Sequence, residues 1–214
     1  MKYLTLLAPA LAVAKPVLNP QAVSDLPDPS EIQILSATWS GNGCPSGSVS
    51  TSISPDRTVV TFGFDAFQTY IGPDISRTEN SKSCSLHLSL KYPGGFQFSV
   101  VESTYHGFAL LEEGTSGDFF STYFFSQDPN NTTVTKTSIQ GGGVWAEGQV
   151  YTKQDEIPTV SLIYSPCGAD GILNINNRIS LRSTNPKAFG SITDDDATVA
   201  FTQQLNLNWQ TCKN

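Results

Sequence analysis

The run LNINNRISLRS at 173–183 alternates with period two. Leu173, Ile175, Ile179 and Leu181 fall on one side, and Asn174, Asn176, Arg178, Ser180 and Arg182 on the other. A β-strand sends successive side chains to opposite faces, so a stretch like this is half buried in a sheet. The pattern recurs. Val199, Phe201, Leu205, Leu207 and Trp209 share a face interrupted only by Gln203. CSLHLSLKY sets Cys84, Leu86, Leu88 and Leu90 against Ser85, His87, Ser89 and Lys91. GFQFSVV alternates likewise, and TVVTFGFDAF is rich in β-branched and aromatic residues. Turn sequences separate the runs: SPDR at 54–57, YPGG at 92–95, SQDPNN at 126–131, GGG at 141–143 and SPCGADG at 165–171. Glycine accepts positive φ and proline presets its own φ, which is what tight turns need. No segment carries a helical stripe, although the polar DISRTENSKS at 74–83 has room for a short helical turn. The expected fold is all-β: a single antiparallel β-sandwich, jelly-roll-like, of about eight to twelve strands.

The opening MKYLTLLAPALAVA reads as a secretory signal peptide over 1–14. Lys2 gives the positive end, Leu4 to Val13 the apolar run, and Ala12-Val13-Ala14 the cleavage site. Removing 14 residues from 214 leaves 200, enough for one sandwich domain over 31–214. KPVLNPQAVSDLPDPS at 15–30 holds four prolines and reads as an extended leader. No second apolar run approaches the roughly 18 residues of a spanning helix. Nineteen acidic residues against twelve basic ones give a net charge of −7, which disfavours a nucleic-acid partner.

Four cysteines, Cys44, Cys84, Cys167 and Cys212, in an exported chain read as two disulfides. Three connectivities are possible. Cys44–Cys84 with Cys167–Cys212 is preferred because each pair joins neighbouring segments. Zinc is disfavoured, since neither CxxC nor HxxxH spacing occurs. Asn130 and Asn131 head two overlapping N-glycosylation sequons.

Catalytic chemistry is sparse in the sequence. There is no GxSxG elbow and no HExxH, and the two histidines, His87 and His106, read as surface residues. Asp65, Glu102, Glu112, Glu113 and Glu147 are candidate glycosidase acids, Glu147 foremost because Trp145 and Tyr151 flank it. Trp39, Trp145, Tyr105, Tyr123 and Tyr151 could stack on sugar rings or anchor a protein partner. FFSTYFF at 119–125 is dense enough for some rings to reach the surface. The triplet Asp194-Asp195-Asp196 is a candidate calcium site, weighed against a solvated turn; position six counted from Asp194 is Val199, which rules out an EF-hand loop. No other cofactor is expected.

GNGCPSGSVS, SPDRTVVTFGFDAFQTYIGP, LKYPGGFQFSV, SPCGADGILNINNRISL and DDDATVAFTQQ, closing with W-x-x-C at 209–212, occur in this order. Together they resemble the small secreted proteins grouped as domain-of-unknown-function family 4360. The resemblance implies a secreted, four-cysteine, β-rich domain found chiefly in fungi, with no catalytic residue to carry over. The expected role is a non-enzymatic extracellular binding protein. The leading expectation for its partner is another secreted protein, such as a protease that it inhibits or protects. A polysaccharide-binding module is the first alternative and a hydrolase the second. The expected binding residues are Trp145, Glu147, Tyr151 and Tyr123.

Overall fold

The computed structural model describes residues 26–168, 170–193 and 201–212. The expected signal peptide and the Asp194-Asp195-Asp196 triplet lie outside these. Twelve strands alternate with short turns: β1 Gln33–Ser40, β2 Val49–Ile53, β3 Val59–Phe64, β4 Thr69–Ile71, β5 Ser81–Lys91 and β6 Phe96–Leu111. They continue as β7 Thr115–Phe125, β8 Asp128–Gln140, β9 Gln149–Glu156, β10 Gly171–Ser183, β11 Gly190–Thr193 and β12 Phe201–Thr211. Only short 3₁₀ turns interrupt them among the described residues, one of which, Arg77–Asn80, falls inside DISRTENSKS. No helix among these residues is long and apolar enough to cross a membrane.

The strands form two sheets packed as a sandwich. One has the order β1-β5-β10-β7-β8; the other runs β2-β3-β12-β6-β11-β4, with β9 also paired to β6. Every pairing is antiparallel. Leu86, Leu88 and Leu90 of β5 and Leu173, Ile175 and Ile179 of β10 bury against Phe62, Phe64, Phe98 and Phe201 of the facing sheet. Rings meet edge-on, as in Phe98–Phe125 at 5.3 Å and Phe67–Phe201 at 5.4 Å, the arrangement the ring quadrupole favours.

The disulfides are Cys44–Cys84 and Cys167–Cys212. Gly168 follows Cys167 with φ +58°, and a Cβ there would stand 2.7 Å from the Gly94 Cα. The SPCG and YPGG turns can therefore touch only because both carry glycine.

The core is not wholly apolar. Gln203, the residue that interrupts the face of β12, is fully buried. Its Oε1 accepts from Asn177 Nδ2 at 2.5 Å, and its Nε2 donates to Ser103 Oγ at 3.1 Å. Ser121 Oγ donates to Asn177 Oδ1 at 2.5 Å, and Tyr105 OH lies 2.6 Å from Ser121 Oγ. Because Ser121 spends its only proton on Asn177, Tyr105 must donate to Ser121. The donors thus run one way, from Tyr105 through Ser121, Asn177 and Gln203 to Ser103. A satisfied buried network tolerates one strand register, whereas leucines would tolerate several.

Asp155 sits on the inward side of β9, opposite Ser103, and its Oδ2 is buried with no hydrogen-bond partner. Burial pushes its carboxyl above the usual range, against a hydrogen bond from Thr137 that lowers it. The folded state therefore binds this proton more tightly than the unfolded chain does. Its contribution to stability is complete below the ordinary carboxylate pKa and is lost as pH rises through the raised folded value. Asp155→Asn is expected to raise the melting temperature at neutral pH by a few degrees and to leave it unchanged in acid. A fall at neutral pH, read by calorimetry, would contradict this.

Candidate functional site

The outward face of the five-stranded sheet is organised in rows, because antiparallel partners directly opposite each other point the same way. One row runs His87, Asn174, Phe124. The next runs Ser85, Asn176, Thr122, Val134, and the third Ser83, Arg178, Phe120, Lys136. A fourth holds Ser180, Asp118 and Ser138. The second row is made of short side chains. Longer ones stand on either side of it, so a groove crosses the strands. Ser85, Asn176, Thr122 and Val134 floor a depression of about 380 Å3, with Arg178 and Phe120 on one flank. Four adjacent strands span about 14 Å at the usual strand spacing.

The flanks differ in chemistry. On one, His87 Nδ1 lies 2.6 Å from Asn174 Oδ1, and Asn174 Nδ2 donates to Ser126 Oγ at 2.8 Å. The amide is thereby oriented, Nδ1 carries the imidazole proton toward it, and Nε2 remains as the other polar atom of the ring. On the opposite flank the Phe120 ring is covered by two cations, Arg178 Cζ at 5.1 Å and Lys136 Nζ at 5.2 Å from its centroid. Asp118 lies beneath, its side chain only 8% exposed. Lys136 Nζ is 3.4 Å and Arg182 Nε 3.8 Å from its carboxylate, and Ser138 Oγ donates to Oδ1 at 2.5 Å. Desolvation raises this carboxyl, but the Ser138 bond and the two cations outweigh it and hold it below the usual range. Asp118 is therefore a fixed anion at neutral pH, suited to holding cations in place and unsuited to giving a proton.

The residues expected to bind from sequence do not meet at one surface. Tyr123 and Tyr151 are core residues, 0% and 3% exposed, and Tyr151 packs 5.4 Å from Phe119. Both belong to inward strand positions, so neither can stack on a ligand. Burial raises both phenols well above their ordinary value. Trp145 lies half-buried in the 3₁₀ turn Gly143–Glu147 with Lys153 Nζ 5.8 Å over its ring, and Glu147 is exposed at the end of that turn. Tyr105 is buried, and half-buried Trp39 donates Nε1 to Pro45 O at 3.3 Å. The rings of FFSTYFF that reach outward are Phe120 and Phe124.

The candidate acids are likewise dispersed. Glu102 accepts from Asn206 at 2.5 Å, and Glu112 accepts from the Phe189 amide at 2.7 Å. Among the described residues no three His, Cys, Asp or Glu side chains converge as a metal site. His106 Nδ1 lies 2.9 Å from Thr152 Oγ1 on the outer side of the other sheet. Asn130 and Asn131 are exposed in a bulge of β8, between Asp128, which pairs with Phe125, and Thr132, which pairs with Phe124. A larger cleft is lined by Leu26, Pro27, Ile32, Leu207 and Trp209, with residues 26–29 forming one wall.

Residues 30–212 match the family described as Domain of unknown function (DUF4360). An uncharacterised secreted protein of the fungus Arthroderma benhamiae is 41% identical over 191 residues, covering 88% of this chain and 75% of its own. This chain too is secreted. Two solved structures align at low similarity. One is a family 61 carbohydrate-binding module in complex with β-1,4-galactotriose, at 11% identity and TM-score 0.25, covering 89% of this chain and 97% of its own. The other is a family 11 carbohydrate-binding module of Clostridium thermocellum in complex with a mixed-linked tetrasaccharide, at 13% and 0.26, covering 87% and 94%. Scores of this size set no expectation for the ligand of this chain.

Proposed function

We propose, for a chain that belongs to the family described as Domain of unknown function (DUF4360), the role of an extracellular carbohydrate-binding protein whose site is the groove across the five-stranded sheet. The observation that carries the reading is the floor of Ser85, Asn176 and Thr122 set between two rows of larger side chains. Hydroxyls and planar amides match sugar hydroxyls as paired donors and acceptors. A groove about 14 Å long receives several sugar units of an extended chain. The expected protein partner has less support. The exposed aliphatic residues, such as Leu35, Ile75, Val144 and Val160, lie on separate elements, where a protein hot spot needs one buried apolar centre. Hydrolysis is less favoured too, because no carboxyl lines the groove among the described residues and nearby Asp118, held as an anion by Lys136 and Arg182, cannot serve as the acid.

Retention on insoluble glucan, chitin, cellulose, galactan and pectin tests the reading, followed by calorimetry with the soluble oligosaccharide of whichever is bound. Asn176→Ala removes two donors and an acceptor from the floor. It is expected to weaken binding about tenfold, the equivalent of one good hydrogen bond, without lowering the melting temperature. Retention on none of the five would sink the proposal.

A further inference from the structure

We infer that the glycan taken by this groove is acidic, an extended chain bearing uronate carboxylates. The inference rests on the carbohydrate-binding reading above and concerns the cationic flank. Arg178, Lys136 and Arg182 stand together there against one carboxylate, Asp118, on a chain whose net charge is −7. The local excess opposes the sign of the whole molecule. An anionic ligand is thus drawn to this face and repelled from others, which orients its approach.

The three cations are not equivalent. Lys136 and Arg182 are shared with Asp118. Arg178 is exposed and has no carboxylate within 4 Å among the described residues. Its one described side-chain partner is the Phe120 ring. The ring contact restrains the guanidinium over Phe120, while its N–H donors make no described bond within the protein. A planar fork held in this way matches a carboxylate through two parallel hydrogen bonds. A neutral sugar would gain little from it. An acidic peptide would also satisfy the charge, but the floor of Ser85, Asn176 and Thr122 offers hydroxyls and an amide that pair with sugar hydroxyls, and a strand-adding peptide would lie along a sheet edge rather than across the strands.

The test uses four soluble probes with the full secreted chain, measured calorimetrically at low and at physiological salt. They are an oligogalacturonate, the same oligomer methyl-esterified on its carboxyls, a neutral β-1,4-linked galactose oligomer, and polyglutamate. The oligogalacturonate is expected to bind about tenfold more tightly than its ester, as expected for a charge-assisted pair, and to lose that advantage as salt rises. Arg178→Gln is expected to cut the acid-to-ester affinity ratio severalfold with the melting temperature unchanged, and Lys136→Gln to cut it likewise while lowering the melting temperature, because Asp118 loses a partner. Equal binding of acid and ester overturns the inference and leaves the carbohydrate reading standing. Binding of no sugar probe overturns the inference, while the carbohydrate reading falls only with retention on none of the five polysaccharides. Polyglutamate binding as tightly as oligogalacturonate overturns the choice of a glycan in favour of an acidic peptide.

Discussion

Replacing Cys167 and Cys212 together by serine is expected to lower stability by about 4 kcal/mol. The bond closes a segment with a sequence separation of 45, and in the chain-entropy account freeing it restores that much disorder to the unfolded state. What the bond holds makes the loss hard to relax. Cys212 N donates to Gly95 O at 2.8 Å, and Gly168 N donates to Phe96 O at 2.9 Å, so the bond fastens the end of β12 to the SPCG turn while both lie against the turn that starts β6. Trp209, three residues before it, packs 4.9 Å from Phe98 and donates its indole N–H to Arg57 O at 2.8 Å. For a domain of this size the melting temperature should fall by roughly 8–16 °C. A calorimetric scan within two or three degrees of the unaltered protein, with mass spectrometry confirming the substitutions, would show that the end of β12 is held by packing alone.

Gln203→Leu is expected to cost about 3–5 kcal/mol, although it fills an inward position with an apolar residue of similar volume. The reason is what it strands. Asn177 Nδ2 loses its acceptor, and Ser103 Oγ loses the donor that reaches it. Ser121 Oγ and Tyr123 OH, 3.3 Å and 3.4 Å from Gln203 Nε2, lose a neighbour as well. Each buried polar group left without a partner costs about 1–3 kcal/mol, more than leucine burial returns. Urea denaturation reads the loss. A variant as stable as the parent would mean that the network adds nothing to the core. Joining Gln203→Leu to Asn177→Leu is expected to recover part of the loss, since the two then no longer strand each other.

Much of the fold is legible in the sequence for a definite reason. Period two is the direct imprint of a sheet with one face buried, and 173–183 keeps that period along β10 except at Asn177, the inward polar residue that joins the buried network. The disulfide partners followed from chain proximity. The break at Gln203 was visible too, but the residues that satisfy it lie on β6, β7 and β10, and no local pattern names them.

The groove was only half legible. Asn174, Asn176 and Arg178 could be placed on the outer face from alternation alone. FFSTYFF could not be divided that way, because aromatic residues occupy both of its faces. Only pairing with β10 shows that Tyr123 opposes Ile175 inside while Phe120 opposes Arg178 outside. Tyr151 failed as a binding residue for the same reason, since it opposes Gly107, whose missing side chain makes room for it in the core. Lys136 is 42 residues before Arg178, and Phe120 brings them together through cross-strand register.

On the proposed reading, the transverse groove is where this secreted chain meets its ligand. Amide chemical-shift mapping by NMR, on titration with oligogalacturonate, tests it most directly. Saturable shifts clustered at Ser85, Asn176, Thr122, Phe120 and Arg178 are expected. Shifts gathered instead around Trp145, around Trp39 or in the cleft at Pro27 and Trp209 would contradict it.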